Sequence, residues 1–76
     1  MARTTALRRV RARRMLTIRA LAGLAGCSTR TIVGIEAGRI VPQFGTMARI
    51  AGALGVAPGE VREFARAIEA RGKAAA

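Results

Sequence analysis

Between Leu16 and Gly38 the chain reads LTIRALAGLAGCSTRTIVGIEAG, and its polar side chains gather at two places. Thr17 and Arg19 form one group. Ser28, Thr29 and Arg30 follow a glycine and form the second, with Arg39 just beyond the stretch. Hydroxyls bond phosphate oxygens, and the guanidinium fork matches both phosphate and the O6/N7 edge of guanine. This is the chemistry of recognition. A catalytic Glu36 would need a His, a Ser–base pair, a second acid or a metal set, and none accompanies it in the sequence. The chain contains no His, and Glu36 is the only acidic residue before Glu60. No catalytic residue is assigned, and no enzyme activity is expected. Cys27 is the single cysteine, so a disulfide framework and the usual zinc ligand sets are excluded. A free cysteine behaves as a small hydrophobe, and Cys27 reads as packing rather than as a redox sensor.

Charge points to the partner. Fourteen Lys+Arg stand against four Asp+Glu, for a net charge of +10, and thirteen of the fourteen are Arg. A general bias toward Arg explains Arg over Lys, but not the scarcity of acids. A polyanion is the natural partner, and double-stranded DNA fits best. Two Phe, with no Trp or Tyr, are too few to stack the bases of a single strand. No cofactor, metal or small-molecule ligand is called for.

The elements that must position these residues follow from periodicity and caps. Residues 1–5 read as a flexible basic arm carrying Arg3. A first helix is expected over 6–14, with Leu7, Val10, Arg11 and Arg14 on one face. Thr17 caps a second helix running to Ala25, with Leu21, Ala22 and Ala25 inward. Gly26 supplies the turn. Ser28 caps a third helix over 28–37, where Ile32, Ile35 and Glu36 share a face and Gly38 is the terminating glycine. A fourth helix spans 44–54, with Phe44, Met47, Ile50, Ala51 and Leu54 as its stripe. Pro58 opens a fifth at a permitted first-turn position. Val61, Phe64, Ala65 and Ile68 are its stripe, and Gly72 closes it. One domain over 6–70 and a disordered tail over 71–76 result. The expected core is Leu7, Val10, Leu21, Ala22, Ala25, Ile32, Ile35, Met47, Ile50, Leu54 and Val61. A chain of this length buries only roughly 60% of its unfolded surface, so close helix packing or a partner is needed.

One stretch imitates an export signal. Arg8-Arg9 and Arg13-Arg14 precede an apolar run that ends Leu24-Ala25-Gly26-Cys27, in the order of a bacterial lipoprotein cleavage box. Arg19 interrupts that run, and cleavage before Cys27 leaves a short chain without a staple. No stretch reaches the roughly 18 apolar residues of a spanning helix. A cytoplasmic, nucleoid-associated protein is expected, with no membrane partner.

The ordered set Leu21-Ala22, Ala25-Gly26, Ser28, Ile32, Ile35-Glu36, Gly38, Pro42, Thr46, Ile50-Ala51 and Ala53-Leu54-Gly55-Val56 resembles the phage-repressor and Cro type of helix-turn-helix domain, the XRE family. The similarity covers about residues 6–64. It implies an all-α, five-helix, lambda-repressor-like domain whose third helix enters the major groove while the second crosses the phosphates. Carried onto this chain, Thr29, Arg30, Val33 and Gly34 become base contacts, and Thr17, Arg19, Ser28 and Arg39 phosphate contacts. The family pairs Arg with Glu at the positions of Arg11 and Glu36. Two inward faces meeting and a single early acid point to the same ion pair. The chain departs from the pattern where the family usually has Gln (Ile18), a polar reader (Gly34) and a helix-ending Gly (Met15). An apolar Val33 suits a thymine methyl, and Gly34 suits close approach.

The function expected is a sequence-specific DNA-binding transcriptional regulator, a repressor or autoregulator. It would act as a homodimer, at least on DNA, with Phe44, Phe64 and Ile68 touching between copies. The alternative is a module that binds mainly a protein partner, or DNA without specificity, as an antitoxin or accessory factor; Ile18, Val33 and Leu24 favour it. An exported lipoprotein is the remote third reading.

Overall fold

The computed structural model describes residues 4–75. Five α-helices follow one another: α1 Leu7–Arg13, α2 Ile18–Ala25, α3 Thr29–Glu36, α4 Phe44–Leu54 and α5 Arg62–Ala75, with a short 3-10 helix, Pro58–Glu60, before the last. The domain is all-α. The described residues contain a lone parallel bridge, Thr5 to Val61, and no strand.

The caps act locally. Thr17 accepts from the Ala20 amide at 3.0 Å and opens α2, and Ser28 accepts from the Thr31 amide at 3.1 Å and opens α3. Gly26 at φ 68° ends α2, and Gly55 at φ 71° ends α4. An L side chain at either would be strained, which is why glycine stands there.

α2 lies against both α3 and α4, while α5 packs on the 3-10 helix that feeds it. All eleven expected core residues are buried, and Ala51, Phe64 and Ala67 join them. Phe64 is 0% exposed. It therefore cannot touch a second copy, as its place on the α5 stripe had suggested; the core takes up its full ring.

Three boundary expectations and one of facing change. Pro58 opens the 3-10 turn rather than α5, because Val61 adopts extended backbone at φ −93° and ψ 123°. That extension lets the Thr5 amide donate to the Glu60 carbonyl at 2.8 Å and the Arg62 amide donate to the Thr5 carbonyl at 2.9 Å. Thr5 is thus tied to the body rather than part of a free arm, while Arg3 lies outside the described residues. Gly72 does not close α5, which continues to Ala75. A mid-helix glycine costs only about 1 kcal/mol, and the turn before it is anchored. Arg71 Nη2 donates to the Pro42 carbonyl at 2.9 Å and the Val41 carbonyl at 3.2 Å, and its guanidinium lies 5.8 Å from the Phe44 ring centroid. Arg14, expected inward, is exposed. It reaches across toward Gly55, where a Cβ would lie 3.2 Å from its Nη2.

Candidate nucleic-acid interface

The interface is built on α2, the Gly26-Cys27-Ser28 turn and α3. Gly26 turns the chain, and the Cys27 amide donates to the Ala22 carbonyl at 3.0 Å, closing the end of α2. Ser28 then caps α3 through the Thr31 amide, and its hydroxyl also lies 2.9 Å from that of Thr31. With the amide bond of the cap, this fixes the first turn of α3 before any ligand arrives. Thr29, Arg30 and Val33 are exposed along one side of α3, while Ile32 and Ile35 are buried on the other. Val33 is 39% exposed, a half-open apolar surface between polar neighbours. Arg19 is exposed at the start of α2, and Arg39 is exposed just past α3. Thr17 and Ser28 are exposed as well, but their oxygens already serve the caps.

Two arginines hold this surface in place from within. Arg11 Nε donates to Glu36 Oε2 at 2.8 Å and Arg11 Nη2 to Glu36 Oε1 at 3.2 Å, a two-pronged pair. Arg11 Nη1 also donates to the Leu16 carbonyl at 2.9 Å. One guanidinium thereby joins α1, the α1–α2 loop and the last residue of α3, and the hydrogen bond to Glu36 holds its proton more firmly than usual. The side chains are only 15% and 11% exposed, so the pair is largely shielded from water. The second arginine is on α4, where Arg49 Nε donates to the Ala25 carbonyl at 3.1 Å. It satisfies a carbonyl at the end of α2 that lacks a helical partner. Arg49 was not singled out from the sequence, because its partner stands twenty-four residues away and is backbone.

Gly34 departs from its expected role. It is buried, although the helical period places it beside Arg30 on the outer face of α3. The cover is Ile40. A Cβ on Gly34 would lie 2.6 Å from Ile40 Cγ1 and 3.2 Å from Ile40 Cβ, too close to coexist. Gly34 therefore presents no side chain to a groove, and Ile40 covers most of its backbone. Its carbonyl accepts from the Arg39 amide at 2.8 Å and the Ile40 amide at 3.1 Å, which folds the connector back over the helix.

Cys27 is half-buried and packs against the core. Burial pushes its thiol above the ordinary value, with the Arg49 charge offsetting part of the rise. A thiol so placed is a poor nucleophile, in keeping with a packing role.

Three of the four acids accept hydrogen bonds within the fold. Besides Glu36, the Glu60 carboxylate accepts from the Ala57 amide at 2.8 Å, and Glu63 accepts from the Leu7 amide at 2.9 Å. Arg8, Arg9, Arg13, Arg19, Arg30 and Arg39 are meanwhile exposed, and the field outside is positive. Among the described residues, no helix is long and apolar enough to cross a membrane.

No curated protein and no solved structure shows significant similarity to the chain. A family model does match, over residues 4–64, the same span that holds α1 to α4 and the start of α5. With Gly26 between two capped helices, and with that match covering most of its length, the chain belongs to the helix-turn-helix domain family, a family of DNA-binding folds.

Proposed function

We propose that the protein is a sequence-specific transcriptional regulator of the phage-repressor and Cro type, a repressor or autoregulator that binds double-stranded DNA as a homodimer in the cytoplasm. The observation that carries this reading is the outer face of α3. Thr29 and Arg30 stand exposed at its capped start, Val33 follows one turn later, and the helix as a whole is locked to α1 through Glu36. Rigid presentation of a few side chains is what base readout requires. Arg30 takes guanine, Thr29 and Val33 take neighbouring edges, and Arg19 and Arg39 neutralise phosphates on either side. Thr17 and Ser28 serve first as caps and reach phosphate with their remaining capacity. The homodimer rests on Phe44, 55% exposed, and on Ile68, which is also exposed.

The second reading, a module for a protein partner, draws on exposed Leu24 and Val41. The export reading is disfavoured by burial. Leu21, Ala22 and Ala25 of the supposed signal lie in the core that closes the fold.

Selection from random duplexes tests the proposal. Enrichment of a two-fold symmetric motif supports a dimeric, specific reader. Binding that is equal for all duplexes leaves a non-specific binder, and absence of binding leaves the protein-partner module.

A further inference from the structure

The outer face of α3 carries an apolar surface that does not come from α3. Thr29, Arg30, Val33, Gly34, Arg39 and Ile40 line one open concavity of about 510 Å³. Arg30 and Val33 are helix residues, and Gly34 is their neighbour on the same side, four residues after Arg30. A side chain there would project between them. None does, and Ile40 occupies the place. Gly38 at φ 77° reverses the chain, and the Arg39 and Ile40 amides close on the Gly34 carbonyl. The branched side chain of Ile40 then lies on Gly34 at a distance that no other residue type would allow. Ile40 is only partly buried, so one side of it packs on the core and the rest lines the concavity.

We propose that Ile40 is a specificity-determining residue, a connector side chain that reads the C5-methyl group of a pyrimidine beside the base pair met by Arg30. This rests on the reading of α3 as the DNA-reading helix. The physical case is chemical matching. In the major groove the C5-methyl is the one apolar feature of the base edges. A side chain with no donor or acceptor, set among arginines that fix the register, discriminates by that methyl alone. Burying one methyl is worth about fourfold in affinity. Two sources carry the group, thymine and 5-methylcytosine. Any other residue at 34 would force Ile40 to shift, so the glycine and the isoleucine form one device.

The test uses the full chain and the duplex obtained by selection. Each thymine in turn is replaced by deoxyuracil, which lacks only the methyl, and each cytosine in turn by 5-methylcytosine. Affinities are measured for the native protein, Ile40→Ala and Val33→Ala. The expected result is a position, distinct from any that answers to Val33, at which the methyl changes native affinity by about fourfold. Val33→Ala retains that response and Ile40→Ala loses it. Loss on deoxyuracil assigns thymine, and gain on 5-methylcytosine assigns the modified base. Ile40→Val loses only Cδ1, keeps the Cβ branch beside Gly34 and is expected to keep part of the response, which separates readout from folding. If every methyl affects native protein and Ile40→Ala alike while sequence selection persists, the proposal is overturned and the reading of α3 stands. If no duplex is selected at all, that reading falls and the proposal falls with it.

Discussion

Met15 holds a left-handed backbone at φ 56° with its side chain 92% exposed. Left-handed geometry costs an L residue roughly 1–2 kcal/mol, and this side chain recovers none of it by packing. Met15→Gly is expected to stabilise the domain by about 0.5–1 kcal/mol after the extra freedom of glycine in the unfolded chain is deducted. Thermal unfolding followed by circular dichroism reads this as a rise of several degrees; an unchanged midpoint would mean the turn is unstrained. Glu36 gives the opposite sign. Removing its charge leaves Arg11 shielded and unpaired, and Glu36→Gln is expected to cost about 3 kcal/mol in urea unfolding. A loss below 0.5 kcal/mol, the usual scale of exposed pairs, would contradict the burial found. Arg30 and Arg19 separate by kind rather than size. Arg19→Ala is expected to weaken all duplexes alike and lower the salt slope by about one unit, whereas Arg30→Ala relaxes preference at one base pair. If both variants act uniformly on every sequence, Arg30 touches phosphate only. The pair of Arg11 and Glu36 was legible because the chain has one early acid and both residues fall on inward faces. Phe64 was misplaced because a stripe shows which residues share a face, not how much of that face a core consumes.

Helix boundaries from α2 to α4 were legible for a local reason. Each is set by a cap or glycine within a few residues, as with Thr17, Gly26, Ser28 and Gly55. The start of α5 was not, because the conformation of Val61 depends on Thr5, far away in sequence. The same holds for α1. Its N-cap residue, Ala6, offers no side-chain bond, and Glu63 of α5 supplies the acceptor instead. Gly34 was read as an open position because nothing local says that Ile40 returns to cover it. This contact yields a sign reversal that can be measured. In the native background Gly34→Ala gains about 1 kcal/mol of helix propensity but forces Ile40 out of its seat, which costs about 1–3 kcal/mol, and net destabilisation is expected. In an Ile40→Ala background the obstruction is gone and the same change is expected to stabilise. A double-mutant cycle in urea checks it, and additivity of the two changes would show that Ile40 does not rest on Gly34.

At the scale of the molecule, charge and size set how it meets DNA. Its extents are 36 × 27 × 20 Å. Two recognition helices spaced by one turn of DNA, about 34 Å, therefore require two copies side by side. Phe44 and Ile68 are the large exposed apolar side chains on α4 and α5 among the described residues. Phe44→Glu with Ile68→Glu is expected to abolish the two-copy complex in sedimentation on a two-fold site while leaving one-copy binding. Persistence of the two-copy complex would place the contact elsewhere. Association is expected to weaken steeply with salt, since the acids that accept in the fold do not screen the outward arginines.

The bridge between Thr5 and Val61 ties the two ends of the domain into one unit of opening. The Thr5 amide, the Arg62 amide and the Leu7 amide all bond across from one end to the other. None of the three can exchange with solvent unless the start of α1 and the start of α5 part together. Their deuterium uptake should share a single opening free energy, and Glu63→Ala, which cuts only the Leu7 bond, should quicken all three. The segment before α1 is in this sense a latch: a change made at the head of the chain is felt first at the base of α5.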